Sequence, residues 1–197
     1  MERAHTIDAL IQHALTLGVS DAQVISVEEI SVEDHLAAMC GETHCDGYGQ
    51  SANCPPHVMK PDQFREHLKQ YQHALVFKFD VPTEILLSDE RREITRMLHE
   101  TAATIEQYAL DNGYTKAQGL AGGSCKHLFC NDYDTCSVLT GGGDCRFPQV
   151  VRPSMSGLGI NFFELTKVLG WQINKITKDS NPNDTPMGLL AGIILIG

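Results

Sequence analysis

The residues with the clearest chemical potential are seven cysteines in two groups of matching spacing. The first group runs Cys40-x4-Cys45-x8-Cys54, and the second runs Cys125-x4-Cys130-x5-Cys136-x8-Cys145. Both end on the same x8 interval, and each closing cysteine leads into proline, as Cys54-Pro55-Pro56 and Cys145-Arg146-Phe147-Pro148. A basic residue and another proline follow each time, Lys60-Pro61 and Arg152-Pro153. Thiolates are soft ligands that select zinc, copper(I) or iron–sulfur centres, so clustered thiolates at matched intervals point to a metal site. The pattern is that of a metalloprotein with two related sites.

Structural zinc is usually held by paired C-x2-C knuckles, because a tight turn brings two thiolates to one small ion. Neither group contains such a knuckle. A cubane is larger and takes ligands from four corners, which suits wider and unequal gaps. Cys125, Cys130, Cys136 and Cys145 form a complete ligand set for a [4Fe-4S] cluster, whereas Cys40, Cys45 and Cys54 leave one iron without a thiolate. That iron would take His44, Asp46 or His57, a water, a substrate atom or a residue of another subunit. The expectation is therefore one or two [4Fe-4S] clusters, with zinc as the less favoured alternative.

A cluster with four thiolates is negatively charged, and burying it requires donors or cations nearby. Gly47, Gly49, Gly122, Gly123 and Gly141-Gly142-Gly143 allow the backbone to wrap closely and aim N–H groups at sulfur. Lys60, Lys126, Arg146 and Arg152 offer positive charge, and Tyr48 and Met155 are expected to pack against the cluster. Other chemistry finds less support. Gly119-Leu-Ala-Gly-Gly123 runs into a cysteine rather than Lys-Ser/Thr, which rejects a P-loop, and no dinucleotide fingerprint precedes a helix. Ser124, Ser154 and Ser156 lack the His/Asp spacing of a nucleophilic serine.

These loops need a scaffold, and the composition can supply one. The chain has 197 residues, of which 42% are hydrophobic, enough for one globular domain over 1–197. A formal charge of −10 with no basic stripe argues against a nucleic-acid partner bound through phosphates. The N-terminal residues lack the pattern of a secretory signal, and the longest apolar run, Gly188–Gly197, is shorter than the about 20 residues that span a bilayer. A cytoplasmic protein without a membrane segment is expected.

Periodicity gives the elements. Ile7, Leu10, Ile11, Ala14 and Leu15 predict a helix closed by Gly18, and a short strand near Ala22–Val27 follows. Between Ser31 and Met39 the pattern is ambiguous. Pro61 opens a helix with Phe64, Leu68 and Tyr71 on its apolar side, leading to a strand at Ala74–Phe79. The clearest helix runs from about Ser88 to Asn112-Gly113, and a strand at Ala117–Ala121 delivers the chain to the second cysteine loop. Asn161 with Glu164 caps a helix ended by Gly170, and Trp171–Ile176 and Met187–Ile196 read as two last strands. The fold class is α/β, a mixed sheet with helices, built from two pseudo-repeated halves of strand, cysteine loop, helix and strand.

The residues Tyr48-Gly49-x-Ser51-x-x-Cys54-Pro55-Pro56, Cys145-Arg146-x-Pro148 and Arg152-Pro153-Ser154-Met155-x-x-x-Gly159-Ile160 carry a family resemblance. They resemble a cysteine-rich family described as "predicted metal-binding protein", a domain-of-unknown-function group of anaerobic bacteria and methanogenic archaea. The resemblance extends from about Val24 to the C-terminus. It implies metal-cluster binding by the matched cysteines in an anaerobic setting, and implies no particular reaction.

Three functions are compatible with these residues. One is electron transfer by an iron–sulfur protein with a redox protein partner. Another is an enzyme whose open iron on the three-cysteine side acts as a Lewis acid for a small-molecule substrate. The third is a structural zinc-binding interaction protein. A homo-oligomer is compatible with each.

Overall fold

Two long strands organise the fold because both of their faces are apolar. In the computed structural model, which describes residues 7–43 and 45–197, these are β2 (His73–Pro82) and β4 (Met187–Ile196). A strand that is apolar on both sides is stable only with a layer packed on each. β2 and β4 pair antiparallel from His73 opposite Ile196 to Pro82 opposite Met187. β1 (Asp21–Ser26) borders β2 and β3 (Ala117–Ala121) borders β4, giving the order β1-β2-β4-β3.

Alternation along the strands divides the core in two. Leu75, Phe77, Phe79 and Val81 of β2 and Ile194 and Ile196 of β4 meet α1 (Ile7–Thr16) and α5 (Arg91–Asp111) through Leu10, Ala14, Leu98, Ala102, Ile105 and Ala109. Ala74, Val76, Ile193 and Leu195 face the other way, onto Phe64 and Leu68 of α3 (Pro61–Leu68) and Leu165 of α7 (Phe162–Val168). Burying a side chain such as Leu98 or Ile193 contributes about 1.5–3 kcal/mol. The sheet is thus the middle of three layers.

The α/β class stands, with seven α-helices among the described residues. The sheet differs from the mixed one expected, since each of its strand pairs is antiparallel. A single parallel bridge, between Ala121 and Ser154, lies outside the named strands. Trp171–Ile176 is not a strand. β4 already has β2 and β3 as neighbours, so no edge of it is open to another strand. Trp171 instead plugs the α3/α7 face, with its indole N–H donating to Asp21 Oδ2 at 2.6 Å.

Three helices fall outside the sequence expectations: α2 (Asp34–Glu42), α4 (Thr83–Leu86) and α6 (Cys125–Phe129). α2 has no buried residue, so it carries no apolar stripe to detect. The other two are only four and five residues long. The order strand, cysteine loop, helix, strand occurs in both halves. The edge strands differ in register, however: β1 pairs with His73–Lys78 at the start of β2, and β3 with Gly192–Ile196 at the end of β4. No described helix is long and apolar enough to cross a membrane.

Candidate metal centre

The two cysteine loops meet at the C-terminal end of β3. Beyond Ala121 the chain turns through Gly122-Gly123-Ser124 into α6, and the second loop then returns alongside it. The Ala121 N–H donates to Pro153 O at 3.0 Å and the Met155 N–H to Ala121 O at 3.1 Å. The Ser154 N–H donates to Asn53 O at 3.0 Å, which extends the ladder by one more segment and pins the first loop beside the second. His127 Nε2–H donates to Asp46 O at 3.0 Å, a further cross-link. Gly47 is required at this junction. A Cβ there would lie 2.8 Å from Ser124 Cβ and 3.5 Å from Cys54 Sγ, so a side chain would force the loops apart.

The second loop is anchored to α5 by a buried polar network. Arg152 Nε donates to Glu106 Oε2 at 2.7 Å, and the same carboxylate accepts the Gly119 N–H of β3. His99 is fully buried and has both nitrogens engaged: Nδ1 accepts from the Arg152 N–H at 3.1 Å and Nε2–H donates to Gly122 O at 3.1 Å. Burial lowers its pKa to about 4, so the ring is neutral near pH 7. Phe129 packs edge-on against His99 and is covered by Phe147 and the Arg96 guanidinium.

Within this frame Cys125, Cys130, Cys136 and Cys145 line one cavity of about 270 Å³, together with Ser51, Asn53, Lys126, Val138, Arg146 and Val151. One water-sized guest needs only roughly 10–15 Å³. The wall is supplied with donors. Asn53 Nδ2 donates to Cys125 Sγ at 3.7 Å, and the buried Ser51 hydroxyl beside that thiol has no partner of hydrogen-bonding geometry. The Arg146 guanidinium is held by Thr135 O at 3.0 Å and by the Tyr133 ring, and it partly offsets the burial that raises the Cys130 pKa. Lys126 is buried, with Nζ donating to Cys130 O at 3.0 Å. Burial nonetheless raises the Cys125 and Cys130 pKa values, with neighbouring thiols adding to it. Metal coordination is what normally offsets such a penalty. A four-thiol cavity with donors and two cations fits an iron–sulfur cluster as a guest.

The first group is arranged differently. Cys54 is buried, Cys40 half-buried and Cys45 exposed. Burial raises the Cys40 pKa, and the nearby Cys45 and Cys54 thiols raise it further, so the three share one neighbourhood. Cys54 is also close enough to Cys125 to raise its pKa, which makes this pair the junction between the groups. Among the described residues no three His, Cys, Asp or Glu side chains converge at the spacing of one metal ion.

The remaining candidates divide. Lys126 and Arg146 line the cavity, as expected of counter-charges. Arg152 instead serves as a strut to Glu106, and Lys60 stands at the start of α3, outside the cavity lining. His57 lies beside Val58, Met59, Phe64 and His67 in a separate cleft, and His44 falls outside the described residues. Met155 belongs to the core below, and Tyr48 packs over Gly41 of α2. Asn53 escaped the sequence reading, and its only signal was position, one residue before Cys54; Ser51 stood in the family motif but was given no role at the site.

A family model described as predicted metal-binding protein (DUF2284) matches residues 23–196. The chain belongs to this family. The match includes all seven cysteines, so the metal-binding description and the thiol-lined junction concern the same segment. No curated protein and no solved structure matches the chain.

Proposed function

We propose that this protein binds iron–sulfur clusters and passes electrons to a redox protein partner. The observation that carries the reading is the 270 Å³ cavity lined by Cys125, Cys130, Cys136 and Cys145, with Asn53, Lys126 and Arg146 in or against its wall. A [4Fe-4S] cluster held there would supply reversible one-electron chemistry. The chain's own residues do the rest. Asn53 and Ser51 offer donors to sulfur, Lys126 and Arg146 offset negative charge, and Val138, Pro148 and Val151 keep the wall apolar. Cys40, Cys45 and Cys54 would hold a second cluster, and the proximity of Cys54 to Cys125 supports a short path between the two.

A second reading has its own support. Cys45 is exposed and borders an open cleft, which favours an enzyme whose three-cysteine side leaves one metal position free for a small molecule.

Iron, acid-labile sulfide and zinc content after oxygen-free purification tests the assignment. About eight irons per chain are expected for two cubanes and about four for one. One-electron reduction should give an EPR signal. Stoichiometric zinc without sulfide would replace the proposal with a structural role.

A further inference from the structure

Beside the three-cysteine group lies a cleft of about 520 Å³ that the electron-transfer reading leaves unused. Cys45, Asp46 and Gly47 form one side, Arg91, Arg92 and Thr95 of α5 another, and Gly122, Gly123, Ser124 and His127 the floor. Three observations set it apart. Neither Arg91 nor Arg92 makes an ion pair with a described carboxylate, although acidic residues outnumber basic ones in this chain by 25 to 15. The Ser124 hydroxyl is buried and has no hydrogen-bond partner. Asp46 is the one carboxylate in the lining, and its backbone carbonyl is already held by His127.

Guanidinium groups are always charged and present several N–H donors in a fixed fork that matches an oxoanion. Two of them against a single carboxylate leave the cleft with net positive charge on a protein of formal charge −10. We infer that this cleft binds a small oxoanion, a carboxylate or phosphoryl group, next to Cys45. Arg91 and Arg92 hold the charged oxygens, and Ser124, whose occluded hydroxyl has no partner, forms part of the floor beneath them. Gly122 and Gly123 keep the floor free of side chains. Such a ligand would sit against the exposed edge of the three-thiol group, the position a substrate of the second functional reading would occupy.

The anion site itself depends on the arginines, so its test stands apart from that of the metal. The probes are inorganic phosphate and succinate, titrated calorimetrically into the full-length protein at low ionic strength. At least one is expected to bind. Arg91→Gln or Arg92→Gln should each weaken binding about tenfold or more, as loss of a charge-assisted hydrogen bond does. Both residues are exposed, so these variants keep the fold. Lys116→Gln removes the same charge at the far end of β3 and should leave affinity unchanged. Preference for phosphate or for succinate tells which class of oxoanion the cleft takes. If neither probe binds, or if the Arg91→Gln/Arg92→Gln double variant binds as well as the native protein, the inference is wrong.

Discussion

The two cysteine loops use the same residue types to build different environments. Cys125 and Cys130 are buried and Cys136 and Cys145 half-buried, and all four line one cavity with donors to sulfur from both loops. Cys40, Cys45 and Cys54 instead have an exposed edge on a cleft lined by arginines. The difference comes from the elements behind them. The second loop is tied to α5 and β3 through His99, Glu106 and Arg152, whereas α2, which carries Cys40, has no buried residue.

The strongest way to break this comparison is to remove one thiol from each side. Cys125→Ser should abolish metal at the four-cysteine site, lowering iron and sulfide per chain by about half if two cubanes are present. It should also disturb the first group, through its neighbour Cys54. Cys45→Ser should spare the four-cysteine site, seen as retained iron and an unchanged EPR signal from that centre. Equal loss from both variants would mean that the loops share one centre.

The frame can be probed by acid. His99 has a folded pKa lowered to about 4 from 6.5, so it contributes stability above pH 6.5 that is lost as pH falls through 4. The loss amounts to about 3 kcal/mol. Denaturant melts between pH 7 and pH 4 should show a fall of that order, and His99→Gln should flatten it. A pH-independent native protein would remove His99 from the frame.

Glu106→Gln tests the same strut by a smaller amount. It removes the charge that pairs with Arg152 and weakens the bond to the Gly119 N–H, costing about 1.5–3 kcal/mol in unfolding free energy. The effect should concentrate on the second loop, visible as faster amide exchange near Pro148–Ser154 with α2 unchanged.

The smallest expected change concerns Asn53→Ala. Losing the N–H donor to Cys125 should make a cluster there harder to reduce, lowering its midpoint potential while iron content stays intact. Redox titration followed by EPR reads the shift. A potential that does not move would separate Asn53 from the centre.

Much of the scaffold was legible in local patterns. The helix carrying Leu98, Ala102 and Ile105 has a full apolar stripe, and β2 and β4 are continuous apolar runs, so their types followed from periodicity. Trp171–Ile176 misled because an apolar segment that plugs a helix-covered face resembles a strand, and only the occupied edges of β4 show otherwise. The cysteines were visible as a set. Which cations accompany them was not: Lys126 and Arg152 look equivalent in sequence, yet one lines the cavity and the other pairs with Glu106.

The sequence by itself determined membership in a predicted metal-binding family, the seven thiols and their division into four and three, because these depend on side-chain chemistry and spacing. Only the tertiary structure decided that the two loops share a junction, where Ala121, Ser154 and Asn53 are linked and Cys54 approaches Cys125. Asn53 and Cys125 are separated by 72 positions, and no local pattern encodes their hydrogen bond. That contact exists because the sheet positions the end of β3 where both loops can reach it.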